Sequence, residues 1–101
     1  MNRGVNEIMA NIMLLTKEIN DKTSYCTFLK YSGHCDNISI TIARNKEDFN
    51  HRIILEEQYG ISLEEDYLLK VESMLQGILS NGEIDHSILE KHPWDMAFCL
   101  K

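Results

Sequence analysis

The stretch EEQYGISLEEDYLLKV, residues 56–71, is where the reading of this chain turns. At helical spacing it holds the end of one helix at Tyr59, a Gly-Ile-Ser turn, and the start of a second helix at Leu63. Helix-turn-helix regulators share that outline and lay their second helix in the major groove of DNA. Several residues oppose the resemblance. With Gly60 at the turn, the first helix needs a small residue one turn earlier so that the two helices can cross closely, and Glu56 stands there. The second helix should bury an apolar residue where the chain has Asp66. Charge opposes it further, since Glu47, Asp48, Glu56, Glu57, Glu64, Glu65, Asp66 and Glu72 face only Lys46, Arg52 and Lys70. Recognition helices offer Arg, Lys, Asn or Gln to bases and cations to phosphates. This surface would repel a duplex, and the stretch reads instead as an αα-hairpin with Gly60 as a C-cap.

Outward from that point, Asn45 with Asp48 three residues on marks the start of the first helix, a relative of the capping box. Phe49, Ile53 and Ile54, with Leu55 beside them, give its buried side. Ser62 with Glu65 is a capping box for the next helix. Its apolar stripe is Leu63, Tyr67, Leu68, Val71, Leu75 and Ile78, with Met74 and Leu79 at the edges, and Ser80-Asn81-Gly82 closes it. Near the N-terminus, Val5, Ile8, Met9, Ile12, Leu15, Thr16 and Ile19 form the stripe of another helix, which Asn20 and Asp21 break.

Between these helices, TSYCTFLKY and CDNISITIA are rich in β-branched and aromatic residues and are joined by Ser-Gly-His, a hairpin signal. Ile38, Ile40 and Ile42 alternate with Ser39 and Thr41, so one face of the second strand points inward. A two-residue turn places Tyr25, Thr27, Leu29 and Tyr31 beside the isoleucines, whereas a three-residue loop substitutes Cys26, Phe28 and Lys30. The tight turn is favoured because it buries two tyrosine rings and Leu29. At the C-terminus, Asp85 can cap a short helix through SILEKH, ended by His92-Pro93. MAFCL reads as either a short helix or a third strand. The expected fold is one α+β domain over residues 1–101: an N-terminal helix, an antiparallel hairpin, then two or three helices packed on the small sheet.

Composition bounds the function. A chain of 101 residues is the length of one domain. Its hydrophobic content of 44% fits a globular core, and its net charge of −6 disfavours nucleic acid and anionic membrane as partners. Three cysteines (Cys26, Cys35, Cys99) are an odd number and suit a reducing compartment. Glu7 and Asn11 interrupt the weak echo of a secretory signal, and no apolar run approaches a membrane span, so a cytoplasmic location is expected.

The chemistry-bearing residues do not assemble into a motif. Cys26, His34, Cys35 and Asp36 lie near the hairpin turn, but zinc sites show paired ligands such as C-x-x-C, and neighbours in a strand point to opposite faces. A small metal or cysteine-dependent enzyme using Cys26, His34 and Cys35 is therefore the weakest alternative. The glycines are scattered, so no phosphate-binding loop is formed. No catalytic residue, metal or cofactor is expected.

What stands out is a concentration of carboxylates. Glu56, Glu57, Glu64, Glu65 and Asp66, with Glu72 on the same helix and Trp94 as an aromatic anchor, suit a stoichiometric inhibitor or antagonist of a protein with a basic site. That partner would be a toxin or a nucleic-acid enzyme, and the chain an immunity-type protein or an anti-defence protein from a phage or mobile element. One alternative is a dimeric DNA-binding regulator using Arg3, Lys17, Lys22 and Lys30. Another is that the acids only confer solubility and an apolar patch carries the function. Met9, Met13, Leu14 and Leu15 exceed the needs of one stripe and leave room for a homodimer.

Overall fold

Alternation at Ile38, Ile40 and Ile42 gives a strand with one inward face, and the structure buries all three side chains. In the computed structural model, residues 4–58, 63–92 and 96–101 are described. The elements run α1 (Val5–Lys22), β1 (Cys26–Ser32), β2 (Asn37–Ala43), β3 (Arg52–Gln58), α2 (Glu65–Asn81), a 3-10 turn (His86–Ile88), β4 (Leu89–Lys91) and β5 (Phe98–Leu100). The sheet has five strands in the order β1-β2-β3-β5-β4. Among the described residues only the β3–β5 pair is parallel. The architecture is α+β as expected, but with more sheet and fewer helices.

The main correction falls on the first half of the opening stretch. Residues expected to form a helix after Asn45 are instead a turn and a strand. Asn45 behaves as a cap, since its Oδ1 accepts the backbone N–H groups of Glu47 at 3.0 Å and Asp48 at 2.6 Å, yet no helix follows. Arg52–Gln58 pairs with β2, with a bulge between Ile42 and Ala43. The β-branched pair Ile53-Ile54 favours this outcome, and so does the need of β2 for a second hydrogen-bonded neighbour. With β3 a strand, neither an αα-hairpin nor a helix-turn-helix exists there. The Gly60 turn and Ser62 of the expected capping box lie outside the described residues.

The hairpin corrects in a smaller way. Tyr31, Leu29 and Thr27 do sit opposite Ile38, Ile40 and Ile42, but across the four-residue connection 33–36 rather than a two-residue turn. The face assignment survives because a shift of two residues preserves it. Tyr31 is not buried: 53% of it is exposed, and its hydroxyl donates to Asp36 Oδ1 at 2.8 Å.

Both helices cover the inward face of the sheet and pack on one another. α1 buries Ile8, Ile12, Leu15, Thr16 and Ile19, as its spacing requires, and the Thr16 hydroxyl is satisfied by the Ile12 carbonyl at 2.7 Å. α2 buries Leu68, Val71, Met74, Leu75 and Ile78, and its N-cap is Glu64, without a side-chain capping bond. Gly82 ends α2 in the left-handed region, with φ 73°, its N–H bonded to the Ile78 carbonyl. A Cβ there meets nothing, so the cost of a side chain is conformational alone. Gly82→Ala is expected to lose about 1 kcal/mol, read as a lower urea midpoint with an unchanged slope.

The C-terminal part also differs. Asp85 caps as expected, accepting the Ser87 N–H at 2.9 Å, but only one 3-10 turn follows before β4 begins. MAFCL resolves in favour of a strand, β5, inserted between β3 and β4. Among the described residues no helix is long and apolar enough to cross a membrane.

Candidate functional site

Strand alternation decides which carboxylates can meet a partner. Ile54, Glu56 and Gln58 stand opposite Ile42, Ile40 and Ile38, so Glu56 points under the helices into the core. It is only 4% exposed, which removes it from the expected partner-binding surface. Its Oε2 accepts the Tyr67 hydroxyl from α2, and its Oε1 accepts the Leu100 backbone N–H from β5. Burial pushes its carboxyl above the ordinary value, against the opposing pull of those two hydrogen bonds. Burial and the bond to Glu56 push the Tyr67 phenol up as well. Cys99 is raised by burial first, then by the charges of Glu56 and Glu90. Raised groups of this kind mark acid–base sites when they line a cleft. What Glu56 does here is tie strand, helix and C-terminal strand together.

The remaining carboxylates gather at one end of the molecule for a topological reason. α1 runs away from that end, β1 returns to it, β2 leaves, β3 returns, and α2 leaves again. The start of α1, the connection 33–36, the end of β3 and the start of α2 therefore meet. Val5, Met9, Tyr31, Asp36 and Leu63 line one groove there, and the Tyr67 hydroxyl lies 3.2 Å from the Glu57 carbonyl. Glu7, Glu57, Glu64 and Asp66 are exposed at this end, with Glu65 and Asp36 half-buried. Lys46, at the opposite end, donates to the Thr23 and Tyr25 carbonyls beyond the end of α1. Lys22, Arg44 and Arg52 share that end with Glu18, Asp21, Glu47 and Asp48, and Lys22 pairs with Glu18 and Arg44 with Asp48.

Glu72 lies apart from this group. It is half-buried on α2, and its Oε2 accepts the Asn11 side-chain N–H of α1 at 2.7 Å, which ties the two helices together. Trp94 lies outside the described residues.

Beside the acidic end an apolar groove of about 310 Å³ runs between α1 and β1. Met9, Ala10, Met13, Leu29 and Tyr31 line it, and Asn6, Met9 and Tyr31 also border the groove at the acidic end. Of these residues the sequence singles out only Met9 and Met13, as surplus apolar surface on α1 with room for a homodimer. The surplus of methionines on α1 was the available signal: Met13 is exposed, while Met9 is partly buried against the core.

The residues of the two alternatives are not brought together. Cys26 begins β1, while His34 and Cys35 follow its other end, about 20 Å away along a seven-residue strand. Among the described residues no group of His, Cys, Asp and Glu is placed to hold a metal ion. Of the cations proposed for DNA, Lys17 and Lys22 pair with Asp21 at 2.5 Å and Glu18 at 3.7 Å. Lys30 projects from the opposite face of the sheet, and Arg3 lies outside the described residues. Comparison of the chain with protein-family models, curated proteins and solved structures gave no match.

Proposed function

We propose that the chain is a non-enzymatic binding protein that inhibits or antagonises a protein partner by occupying its basic site. The observation that supports this reading is the juxtaposition at one end of exposed Glu57, Glu64 and Asp66, half-buried Glu65, and an apolar groove. Protein interfaces combine an apolar centre with a polar rim, and a rim of one sign speeds and orients encounter with a partner of the other sign. An immunity-type protein, or an anti-defence protein of a phage or mobile element, would use such an end against a toxin or nucleic-acid enzyme.

The test begins with capture of the partner from lysate of the native host, with nuclease added to exclude bridging. Binding of the purified pair is then measured across a salt series. Reversal of Glu64, Glu65 and Asp66 to lysine is expected to weaken binding by roughly a hundredfold and to flatten its salt dependence. Glu56→Gln, inside the core, is expected to leave the affinity unchanged wherever the protein remains folded. Unaltered affinity and salt slope in the triple reversal would sink the reading. Retention of nucleic acid rather than protein when nuclease is omitted would favour the regulator instead.

A further inference from the structure

The groove at the acidic end has one carboxylate in its wall. Asp36 is half-buried there beside Val5, Met9 and Leu63, with Asn6 and Tyr31 completing the lining. The Tyr31 hydroxyl donates to Asp36 Oδ1 at 2.8 Å and so fixes how the carboxylate is turned. Among the described residues no donor reaches Oδ2, and no cation pairs with Asp36. At the opposite end, by contrast, Asp21 pairs with Lys17 and Asp48 with Arg44. No lysine or arginine lines the groove either: Lys30 projects from the other face of the sheet, and Lys70 lies more than a turn into α2. A partly desolvated carboxylate among apolar side chains has lost water that an incoming cation can replace.

We propose that this groove takes an arginine side chain of the protein partner, the guanidinium on Asp36 and the aliphatic stem along Val5 and Met9. The inference rests on the inhibitor reading and names the group by which the acidic end takes hold of a basic site. Size, lining and charge select this occupant. At about 310 Å³ the groove is at the small end of ligand sites, which run from about 300 to 1,000 Å³, and it suits one long side chain. Its lining is apolar apart from Asp36, Asn6 and the Tyr31 hydroxyl, which fits an aliphatic stem that ends in a charge. A guanidinium is planar and weakly hydrated, meets a carboxylate with two parallel N–H groups, and stacks on an aromatic face such as that of Tyr31. The lysine ammonium is a compact, strongly hydrated point charge and loses more water on entering the same walls. Glu7, Glu57, Glu64 and Asp66, exposed at the same end, draw a cationic side chain towards it.

The test is NMR titration of the full chain with N-acetyl-arginine amide, followed at the Tyr31 ring and the Asp36 amide. Saturable shifts there are expected, with a roughly millimolar dissociation constant, and N-acetyl-lysine amide should bind more weakly. Asp36→Asn removes the charge but keeps an acceptor for Tyr31, and asparagine adopts the left-handed φ of 50° at this position as readily. It is expected to weaken arginine binding, and the affinity for the captured partner, by roughly tenfold or more. Glu47→Gln, exposed at the opposite end, should change neither. Absence of shifts at Tyr31 and Asp36 would overturn the proposal, as would equal shifts in native chain and Asp36→Asn, or equal binding of the lysine amide. Free arginine binding more tightly than the blocked amide would overturn it too, and would make the groove an amino-acid site. The titration of the native chain decides the matter even if Asp36→Asn does not fold. Failure of the inhibitor reading shows elsewhere, in the triple reversal of Glu64, Glu65 and Asp66, none of which lines the groove.

Discussion

Removal of residues 97–101 is expected to abolish cooperative unfolding, although it takes only the end of the chain. β5 is not a peripheral strand: it lies between β3 and β4, so its loss detaches β4 and leaves the far edge of β3 bare. Ala97 is fully buried, and Phe98 and Leu100 pack against the core cluster. Each large apolar side chain contributes about 1.5 to 3 kcal/mol when fully buried. The Leu100 N–H also vanishes from Glu56, leaving a buried carboxylate short of a donor at a cost of roughly 1 to 3 kcal/mol. Together these losses approach the whole stability of an ordinary domain, about 5 to 15 kcal/mol. Thermal melts by circular dichroism and dispersion of the amide NMR spectrum would show the collapse. A truncated chain with an unchanged, sharp transition would mean that β3 does not need β5.

Glu56→Ala is expected to lose about 2 to 4 kcal/mol, the largest effect of any single carboxylate in the chain. The substitution leaves the Leu100 N–H without an acceptor under α2 and opens a cavity beside Tyr67. Glu56→Gln should cost less. The Tyr67 proton can turn to the Glu57 carbonyl, 3.2 Å away, leaving the phenolic oxygen free to accept from the new amide. pH separates the two roles of the side chain. Because burial raises the folded carboxyl above 4.5, the folded state holds this proton more tightly than the unfolded one. The group's stabilising contribution is therefore complete below 4.5 and is lost as pH climbs through the raised folded value. Urea midpoints across that interval should shift in favour of Glu56→Gln relative to the native chain as pH rises. A difference that stays flat, or moves the opposite way, would show that the carboxyl is not buried against Tyr67.

Helices α1 and α2 were legible because their apolar residues recur at helical spacing on one face, and because Gly82 supplies the left-handed stop. β2 was legible by strict alternation. β3 was not, and Glu56 is the reason. An alternating strand declares itself when its inward positions are apolar, and in RIILEEQ one inward position is a carboxylate. Its partners, Tyr67 and the Leu100 N–H, lie 11 and 44 residues away in sequence, so nothing local signals that the charge can be tolerated inside. The neighbouring Asn45 compounds the misreading, since it makes the same side-chain bond to Asp48 that a helix start would make. The candidate site was legible in part. Glu57, Glu64, Glu65 and Asp66 do lie together, but the sequence placed them on two helices, and the groove beside them was not anticipated.

By itself, the sequence determined the amphipathic helices, the hairpin faces, the acidic balance and the lack of a recognisable catalytic motif, because each depends on spacing or on simple counting. Tertiary structure alone decided that residues 52–58 form a strand, that residues 98–100 are inserted between β3 and β4, and that one glutamate leaves the surface. The physical reason is the same in each case. A strand gains its hydrogen bonds, and a buried carboxylate its donors, only from segments distant in the chain, whereas a helix satisfies its backbone within its own four-residue reach.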